Sequence, residues 1–353
     1  MIQKRKTRQI RIGKLSVGNE SPISVQSMSN IPASETEKCV AQAIEMEKAG
    51  CDIFRFAVPA KENAKIFYLA KENGVKMPLV ADIHFDYKIA LECAEAGADK
   101  IRINPGNIGD DSKIREVVRV CRKKGIPIRI GVNSGSLEKE LLAKYGYPSP
   151  EALAESALNH ARLLEKFDFY DTVISIKSSD VKNMIEANRI LAAKCDYPLH
   201  IGVTEAGTPE NGLLKSSVGI GSLLCDGIGD TVRVSLTAQP SEEIKAAKKI
   251  LKAVGYCENG INVISCPTCG RTGINLIGLV NEFESRIGEI KSARKLTVAL
   301  MGCAVNGPGE AREADIGIAG GNGEAVLIKK GVIVRKVKED RIIDELIDEI
   351  NRI

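Results

Sequence analysis

Three cysteines near the end of the chain have a spacing that could hold a metal centre. Cys266 and Cys269 are separated by two residues, and Cys303 follows much later in the segment Met-Gly-Cys303-Ala-Val-Asn. Two thiols of a CxxC turn can bind one metal centre, and the fold must bring the third thiol to them. A Gly-Pro-Gly turn then supplies a carboxylate, Glu310. Three soft ligands and one hard, displaceable ligand suit a 4Fe–4S cluster with one reactive iron, which could bind a substrate as well as carry electrons.

The ten cysteines of the chain indicate metal or redox chemistry rather than a disulfide framework. Residues 1–10 are charged and have no apolar core, and the sequence has no apolar run long enough to span a membrane. We therefore expect a soluble, cytoplasmic protein. Six cysteines outside the two motifs are expected to be small buried side chains: Cys39, Cys51, Cys93, Cys121, Cys195 and Cys225.

Composition argues against a nucleic-acid partner. The chain has 353 residues, no tryptophan and a formal net charge of +4. Few aromatic rings are available to stack on bases, and this net charge is too small to indicate a polyanionic partner. The length is sufficient for one large barrel and a smaller domain.

Eight short β-branched runs alternate with helical stretches through residue 255, which predicts a (β/α)8 barrel. An open, doubly wound sheet is the competing α/β interpretation. A capping box at 34–37 is predicted to open the first helix, and glycines 50, 74, 97 and 125 are predicted to end helices. The predicted strands are Pro22–Met28, Asp52–Val58, Pro78–Ile83, Lys100–Pro105, Pro127–Val132, Thr172–Lys177, Pro198–Glu205 and Thr231–Leu236.

Polar side chains collect at the carboxyl ends of these strands. They are Arg55, Asp82, His84, Arg102, Asn104, Arg129, Asn133, Ser175, Lys177, Thr204, Arg233 and Ser235. Where a strand carries two of them, they are two or four residues apart, so their side chains point to the same side of the sheet. Isoleucines such as Ile101 and Ile128 occupy the alternate positions and are expected to face the helices. We expect them at one mouth of the barrel, where such folds keep their active sites.

The predicted mouth is rich in cations. Five basic residues, Arg55, Arg102, Arg129, Lys177 and Arg233, stand against two acids, Asp82 and Glu205. Burying this excess without a ligand would be costly, and arginine forks match phosphate oxygens, so we expect an anionic ligand with more than one phosphate group. Two glycine clusters, at 219–221 and 227–230, are either phosphate-binding loops or plain tight turns.

A second, α+β unit is predicted after a linker at 256–260. The proposed division is 1–255 for the barrel and 256–353 for the domain that carries the cysteines. Its predicted elements are a helix near Gly273–Ile287, strands near Leu296–Met301, Asp315–Ala319, Glu324–Lys329 and Val332–Val337, and a final helix Asp340–Asn351.

The eighth helix of such a barrel runs away from the mouth, so the second unit follows from the far end of its own barrel. The metal site and the anion site could then meet if two chains pair head to tail. We expect a homodimer with active sites shared between chains, and a linker that folds back within one chain is the alternative.

The two cysteine motifs closely resemble the cluster-binding signature of the 4-hydroxy-3-methylbut-2-en-1-yl diphosphate synthase family. The resembling segments are Cys266–Arg271 and Met301–Glu310, together with Val25–Met28, Ala81–Phe85, Ile101–Gly109, Arg129–Leu137 and Gly227–Leu236 in the barrel. The resemblance covers essentially the whole chain and matches the two-domain bacterial form of the family.

The resemblance implies an iron–sulfur oxidoreductase of the non-mevalonate isoprenoid pathway. Its substrate would be 2-C-methyl-D-erythritol 2,4-cyclodiphosphate, and ferredoxin or flavodoxin would supply two electrons. By resemblance, Cys266, Cys269 and Cys303 hold three irons, Glu310 holds the fourth until substrate displaces it, and Asn306 lies beside it. By resemblance also, Arg55, Arg102, Arg129, Asn133, Lys177, Arg233 and Ser235 bind the diphosphate. Asp82, His84 and Glu205 would serve the carbon skeleton and proton transfers, with Glu205 favoured as proton donor.

Other interpretations remain open at this point. Cys257, Cys266, Cys269 and Cys303 could form a structural zinc site, which would leave a phosphate-binding barrel with a structural zinc domain. A simple iron–sulfur electron carrier would leave the cationic mouth without a purpose. The Cys-x-x-x-Cys-x-x-Cys triad usual in radical enzymes that use S-adenosylmethionine does not occur. Asp82 and His84 could form a plain structural hydrogen bond.

Overall fold

The computed structural model describes residues 2–256, 260–290, 295–305, 309 and 311–353. The chain divides into two compact units, Met1–Tyr256 and Cys257–Ile353. No helix within the described residues is long and apolar enough to cross a membrane.

The first unit is a barrel of eight parallel strands, as predicted. A short antiparallel hairpin of β1 and β2 precedes it. The barrel sheet runs in the order β8-β7-β6-β5-β4-β3-β10-β9, and a parallel bridge between Ile174 and Leu199 joins its two outer strands. The strands are β1 Ile10–Ile12, β2 Leu15–Val17, β3 Ser24–Met28, β4 Ile53–Ala57, β5 Leu79–Asp82, β6 Lys100–Ile103, β7 Ile128–Asn133, β8 Thr172–Lys177, β9 His200–Ile201 and β10 Thr231–Val232.

Helices connect the strands and bury one face of each against the sheet. They are α1 Thr36–Lys48, α2 Lys65–Glu72, α3 Tyr87–Glu95, α4 Pro105–Ile108, α5 Asp111–Lys124, α6 Lys139–Tyr145, α7 Pro150–Glu165, α8 Val181–Lys194, α9 Pro209–Cys225 and α10 Pro240–Ala253. The four glycines predicted to end helices all have positive φ. Gly125, for example, has φ 65° and donates its N–H to the carbonyl of Arg122 at 3.2 Å.

The predicted capping box is wrong. Helix α1 begins at Thr36 after Glu35, and no side chain caps its first turn. The hydroxyl of Thr36 instead donates to the carbonyl of Ala33, and the carboxylate of Glu35 pairs with Lys38. The cap position is thus taken by Glu35 rather than by the predicted Ser34, and the carboxylate of Glu35 bonds Lys38 instead of a free amide of the first turn.

The last two barrel strands are shorter than predicted. In place of Pro198–Glu205, β9 has two residues, His200 and Ile201, and in place of Thr231–Leu236, β10 has Thr231 and Val232. Glu205, the predicted end of β9, has φ 51°, a left-handed conformation that cannot belong to a strand. A Cβ at Gly202 would lie 2.2 Å from the carbonyl oxygen of Arg233, so the backbones approach closely here, and only glycine fits.

The hairpin β1–β2 was not expected from the sequence. Ile12 and Val17 pack with Ile53 and Val80 in a small, fully buried cluster. Each strand has three residues, which is too short for alternation to be recognised.

Within the described residues, the second unit is a mixed sheet of five strands with two α-helices, which confirms the predicted α+β class. Strands β11, β12 and β13 are parallel, and β13, β14 and β15 are antiparallel. The core includes Phe283, Leu300 and Leu346. The elements are β11 Gly260–Ser265, α11 Leu276–Arg286, β12 Lys295–Met301, β13 Ile316–Gly320, β14 Glu324–Lys329, β15 Val332–Lys338 and α12 Ile342–Asn351. Strand β11, which leads directly into Cys266, was missed.

Candidate functional site

Asp82 joins two arginines at the carboxyl end of β5. Its Oδ1 accepts a hydrogen bond from Arg102 Nη1 at 2.9 Å, and its Oδ2 lies 3.5 Å from Arg55 Nε. All three residues are buried. Burial by itself would raise the pKa of Asp82, but the attraction of Arg55 and Arg102 outweighs it and lowers that pKa to about 2. Asp82 is therefore an ionised partner of the arginines, and the nearby, exposed His84 also favours its ionised form.

Arg129 presents unused hydrogen-bond donors inside the barrel. Its Nη1 donates to the hydroxyl of Ser175 at 2.7 Å, and that hydroxyl donates to the carbonyl of Ile130 at 3.1 Å. Arg129 is 1% exposed, yet its Nε and Nη2 have no hydrogen-bond partner among the described residues. A buried donor without a partner costs about 1–3 kcal/mol, so this arrangement is suited to a ligand that accepts these bonds.

Lys177 ends β8 on the same side of the sheet. It is buried, and in the register of β7 and β8 it stands opposite Asn133, which is half-buried. Burial, followed by the repulsion of Arg233 and Arg55, lowers the pKa of Lys177 well below its usual value. An anion at this position would relieve that repulsion.

Arg233 is held by an acid that the sequence analysis did not identify. Its Nε and Nη2 donate to the carboxylate of Glu243 on α10 at 3.3 and 3.2 Å. The same carboxylate accepts from the hydroxyl of Ser27 at 2.8 Å and the amide of Leu236 at 3.1 Å. Glu243 therefore fixes the guanidinium of Arg233 and links β3 to the segment after β10.

A methionine sulfur separates two of the cations. Met28 Sδ lies 3.2 Å from Arg55 Nε and 3.7 Å from Arg233 Nη1. Burial lowers the pKa of Arg55 to about 10, so it stays charged at neutral pH. The structure thus brings the five predicted cations together, and the buried acids that pair with them are Asp82 and Glu243.

Among the other predicted mouth residues, Asn104 is buried, whereas the remaining four are half-buried or exposed. Asn104 accepts a hydrogen bond from the amide of Gly106 at 3.1 Å and caps α4. His84 and Glu205 are exposed, and Thr204 and Ser235 are half-buried. These side chains follow the strand ends in the chain, so they come from the loops rather than from the barrel interior.

Four further polar side chains of the barrel interior were missed. Lys100 Nζ donates to Oε1 of Gln26 at 3.3 Å, and His200 Nδ1 lies 2.9 Å from the hydroxyl of Thr231. The spacing of two between Lys100 and Arg102 was the available signal, since it places both on one side of β6.

The glycine clusters are not phosphate loops. Gly219 and Gly221 lie within α9, where a Cβ at Gly219 would come 2.7 Å from Val203 and Met184. Gly227 and Gly229 form a tight turn before β10, at the end of the barrel opposite the mouth. Asp230 pairs there with Lys4 at 3.0 Å. The tight-turn alternative is correct for 227–230, whereas for 219–221 both alternatives are wrong, because these residues are helical.

The cysteine motifs meet at the ends of two neighbouring strands of the second unit. Cys266 follows β11, and its sulfur accepts a hydrogen bond from the amide of Gly302, at the end of β12, at 3.3 Å. Cys303 is the next residue. The backbone amide and then the side chain of Arg271 hydrogen bond to Cys269 and lower the pKa of its thiol, and Cys303 is close enough to oppose this electrostatically.

These thiols fit an iron–sulfur centre in their chemistry. Cys269 is exposed, Cys266 and Cys303 are half-buried, and an amide and a guanidinium stabilise thiolate charge. Within the described ranges, no three or more His, Cys, Asp or Glu side chains lie close enough together to hold a metal ion. Asn306 and Glu310, predicted beside the fourth iron, lie outside the described residues, and so does Cys257, the fourth thiol of the zinc alternative.

The six cysteines that were expected to be buried differ in their solvent exposure. The expected buried role is confirmed for Cys39, Cys51, Cys93 and Cys121, whereas Cys195 is half-buried. For Cys225 it is wrong, because this residue ends α9 on an exposed face.

Two family models match nearly the whole chain. The GcpE TIM-barrel domain matches residues 7–248, and the GcpE protein C-terminal domain matches residues 262–352. The chain belongs to the GcpE family. The match covers both the cation-rich barrel and the unit that carries the cysteine motifs.

Similar full-length proteins of this family carry one curated name, "4-hydroxy-3-methylbut-2-en-1-yl diphosphate synthase (flavodoxin)". The protein of Clostridium perfringens is 55% identical over 354 residues, which cover 100% of both chains. That of Fusobacterium nucleatum is 54% identical over 97% of this chain and 96% of its own. That of Geobacillus thermodenitrificans is 52% identical over 100% of this chain and 94% of its own.

Solved structures share the barrel fold at low sequence identity. A dihydropteroate synthase from Xanthomonas albilineans has a TM-score of 0.51 at 12% identity, and it covers 70% of this chain and 98% of its own. A type I 3-dehydroquinate dehydratase from Clostridium difficile has a TM-score of 0.52 at 16% identity, with the same two coverages. These similarities concern the fold alone.

Proposed function

We propose that this chain opens the ring of 2-C-methyl-D-erythritol 2,4-cyclodiphosphate and gives 4-hydroxy-3-methylbut-2-enyl diphosphate. Counted for the fully protonated acids, two electrons and two protons enter and one water leaves. The full-length relatives at 52–55% identity carry the name of this activity. The proposal makes the chain an iron–sulfur oxidoreductase of the non-mevalonate isoprenoid pathway.

The main structural support for this proposal is the group of buried cations at the barrel mouth. Arg55, Arg102 and Arg129 lie together with a single carboxylate, Asp82, between two of them. Arg129 also has two donor nitrogens, Nε and Nη2, without described partners. A diphosphate supplies both the missing negative charge and the missing acceptors.

Two groups of residues contact different parts of the substrate. Arg55, Arg102, Arg129, Asn133, Lys177, Arg233 and Ser235 bind the diphosphate. Asp82 keeps Arg55 and Arg102 oriented and, with His84, faces the carbon skeleton. Glu205 is the proton donor: it is exposed at the mouth and held at positive φ, outside the paired cations.

The second unit supplies the redox centre. Cys266, Cys269 and Cys303 would hold three irons of a 4Fe–4S cluster, and Glu310 the fourth, with Asn306 beside it. When bound, the cluster supplies electrons one at a time to a substrate that reaches its fourth iron. The amide of Gly302 and the side chain of Arg271 stabilise the thiolates through the contacts described above. Reduced flavodoxin, or a ferredoxin, is the proposed electron donor.

A head-to-tail homodimer would bring the two parts of the active site together. Helix α10 starts beyond the mouth, and Tyr256 after it donates to the carbonyl of Leu224, at the end of α9, at 3.1 Å. The chain therefore leaves the barrel at the end away from the mouth. We propose that each second unit serves the barrel of the partner chain.

Mixing two defective variants tests the shared site. Assayed with substrate well below its raised Michaelis constant, Arg129→Ala has little activity at the barrel site, and Cys269→Ser disables the cluster site. In a head-to-tail dimer, a mixed pair has one intact site, so re-equilibrated equal amounts should recover about a quarter of wild-type activity. Recovery of no activity, or full wild-type activity in a strictly monomeric sample, would contradict the shared site.

The function itself is tested by turnover. Anaerobically purified enzyme is incubated with the cyclodiphosphate and reduced flavodoxin, and the product is identified by mass spectrometry. We expect 4-hydroxy-3-methylbut-2-enyl diphosphate and no product with the donor omitted. Unchanged substrate in the presence of an intact cluster and a reduced donor would refute the proposal.

A further inference from the structure

Lys100 has no part in the function proposed so far. It opens β6, two residues before Arg102 and on the same side of the strand, so it lies deeper in the barrel. It is completely buried. Its Nζ donates to Oε1 of Gln26 at 3.3 Å, and the other end of that amide, Nε2, has no hydrogen-bond partner among the described residues.

The surroundings of Lys100 are cationic. By strand, the polar and titratable groups of the barrel around it are Gln26 on β3, Arg55 on β4, Asp82 on β5, Arg102 on β6, Arg129 on β7, Lys177 on β8, His200 on β9 and the half-buried Arg233 after β10. Asp82 is taken by Arg55 and Arg102, and Glu243 is taken by Arg233. Neither carboxylate is left to neutralise an ammonium at Lys100.

These surroundings disfavour the charged form of the lysine. Burial, followed by the repulsion of Arg129 and Arg55, lowers the pKa of Lys100 well below its usual value. Arginine keeps its proton in proteins, whereas a buried lysine can give its proton up. A neutral amine bonded to Gln26 therefore costs less here than an unpaired ammonium.

We propose that Lys100 is neutral in the free enzyme and takes up one proton from solvent when the cyclodiphosphate binds, which makes it a further cation of the anion site. This inference rests on the proposed function. Phosphate charge placed on Arg55 and Arg129 cancels the repulsion that kept the amine neutral. The only covalent change is the new N–H bond at Nζ.

The substrate does not supply or take up this proton itself. Each phosphorus of a cyclic diphosphate has one ionisable oxygen, which is strongly acidic, so the ligand is fully ionised at neutral pH. Proton uptake on binding therefore reports on the protein. Since the bound state holds the extra proton more tightly, affinity is greatest at low pH and falls as pH rises, tenfold per pH unit for each proton taken up.

Calorimetry of the oxidised holoenzyme with the cyclodiphosphate measures this proton. Without reductant no turnover occurs, and titrations in two buffers of different ionisation enthalpy give the number of protons taken up. We expect uptake in the wild type and up to one proton less in Lys100→Met, with weaker binding and a shallower pH dependence. Lys123→Met, at an exposed lysine of α5, should match the wild type.

A second variant keeps the test decisive if Lys100→Met does not fold. Lys100→Arg keeps a permanent charge, so it should also lose the proton uptake, but it should bind at high pH at least as tightly as the wild type. Equal uptake in the wild type and in a folded Lys100 variant, or binding by the wild type without uptake, would overturn the inference. Absence of any binding by the wild type would refute the proposed function, and the inference with it.

Discussion

The carboxylate of Asp82 accepts a hydrogen bond from Arg102 at 2.9 Å while both side chains are more than nine-tenths buried. Arg55 approaches the other carboxylate oxygen at 3.5 Å. One acid therefore compensates two arginines in the barrel interior. This arrangement holds both guanidinium groups at the mouth before a ligand arrives.

Asp82→Asn should destabilise the barrel strongly. Removal of one partner of a buried ion pair typically costs on the order of 3–5 kcal/mol, because the remaining charge stays buried. Asp196→Asn is a matched control, since Asp196 pairs with Arg8 at 2.7 Å but is 58% exposed, and it should cost at most about 1 kcal/mol. Urea unfolding followed by circular dichroism measures both. Equal, small losses in the two variants would contradict the structural role of Asp82.

The contribution of Asp82 should depend on pH. Its pKa in the folded protein is about 2, below the value of about 3.9 expected in the unfolded chain. Its stabilisation is therefore present above about pH 4 and is lost as pH falls towards 2. The difference in unfolding free energy between wild type and Asp82→Asn should shrink between about pH 5 and pH 3. A constant difference over this range would count against an ionised, paired Asp82.

Arg129→Ala should weaken substrate binding. Hydrogen bonds to a charged group contribute about 1.5–3 kcal/mol, so the Michaelis constant should rise roughly ten- to hundred-fold. Arg119→Ala is the control, because Arg119 is an exposed arginine on α5 that pairs with Glu116. A Michaelis constant for Arg129→Ala equal to that of the control would exclude Arg129 from the phosphate site.

Cys269→Ser should lose the iron–sulfur centre. Hydroxyl oxygen is a poor substitute for thiolate at iron, and Cys269 is the thiol whose pKa is lowered by Arg271. Cys225→Ser removes an exposed cysteine of the barrel and should leave iron and sulfide content unchanged. Iron and sulfide analysis of both variants, purified without oxygen, decides the point. Full occupancy in Cys269→Ser would remove this residue from the ligand set.

Glu310→Ala should separate cluster binding from turnover. The three cysteines remain, so the variant should keep a cluster, less securely held, while it loses most turnover. Glu310 lies outside the described residues, and the prediction rests on its place in the motif. Iron content and steady-state rate are measured on one sample. Wild-type turnover would remove Glu310 from the reactive iron.

The barrel was predictable because local signals agree with the fold. Runs such as Thr172–Lys177 match their strands completely, and glycines end the helices where expected. The ends of β9 and the hairpin β1–β2 were not predictable. The end of β9 depends on the close approach of the Gly202 backbone to the carbonyl of Arg233. The hairpin depends on the packing of two very short strands against β4 and β5.

The candidate site was predictable only where strand parity fixes direction. Arg55, Arg102 and Arg129 were found because they alternate with buried apolar residues. Glu243 was missed because it lies on a helix and reaches Arg233 through tertiary packing. The role of the glycine clusters stayed open because composition alone tells neither whether glycines lie within a helix nor at which end of the barrel a turn lies.

Metal content and turnover of one anaerobically purified sample test the central claim most directly. The account predicts about four irons and four sulfides per chain, broad visible absorption, and conversion of the cyclodiphosphate to the open allylic diphosphate under reducing conditions. Stoichiometric zinc without colour, persisting after iron–sulfur reconstitution and accompanied by no product, would contradict it.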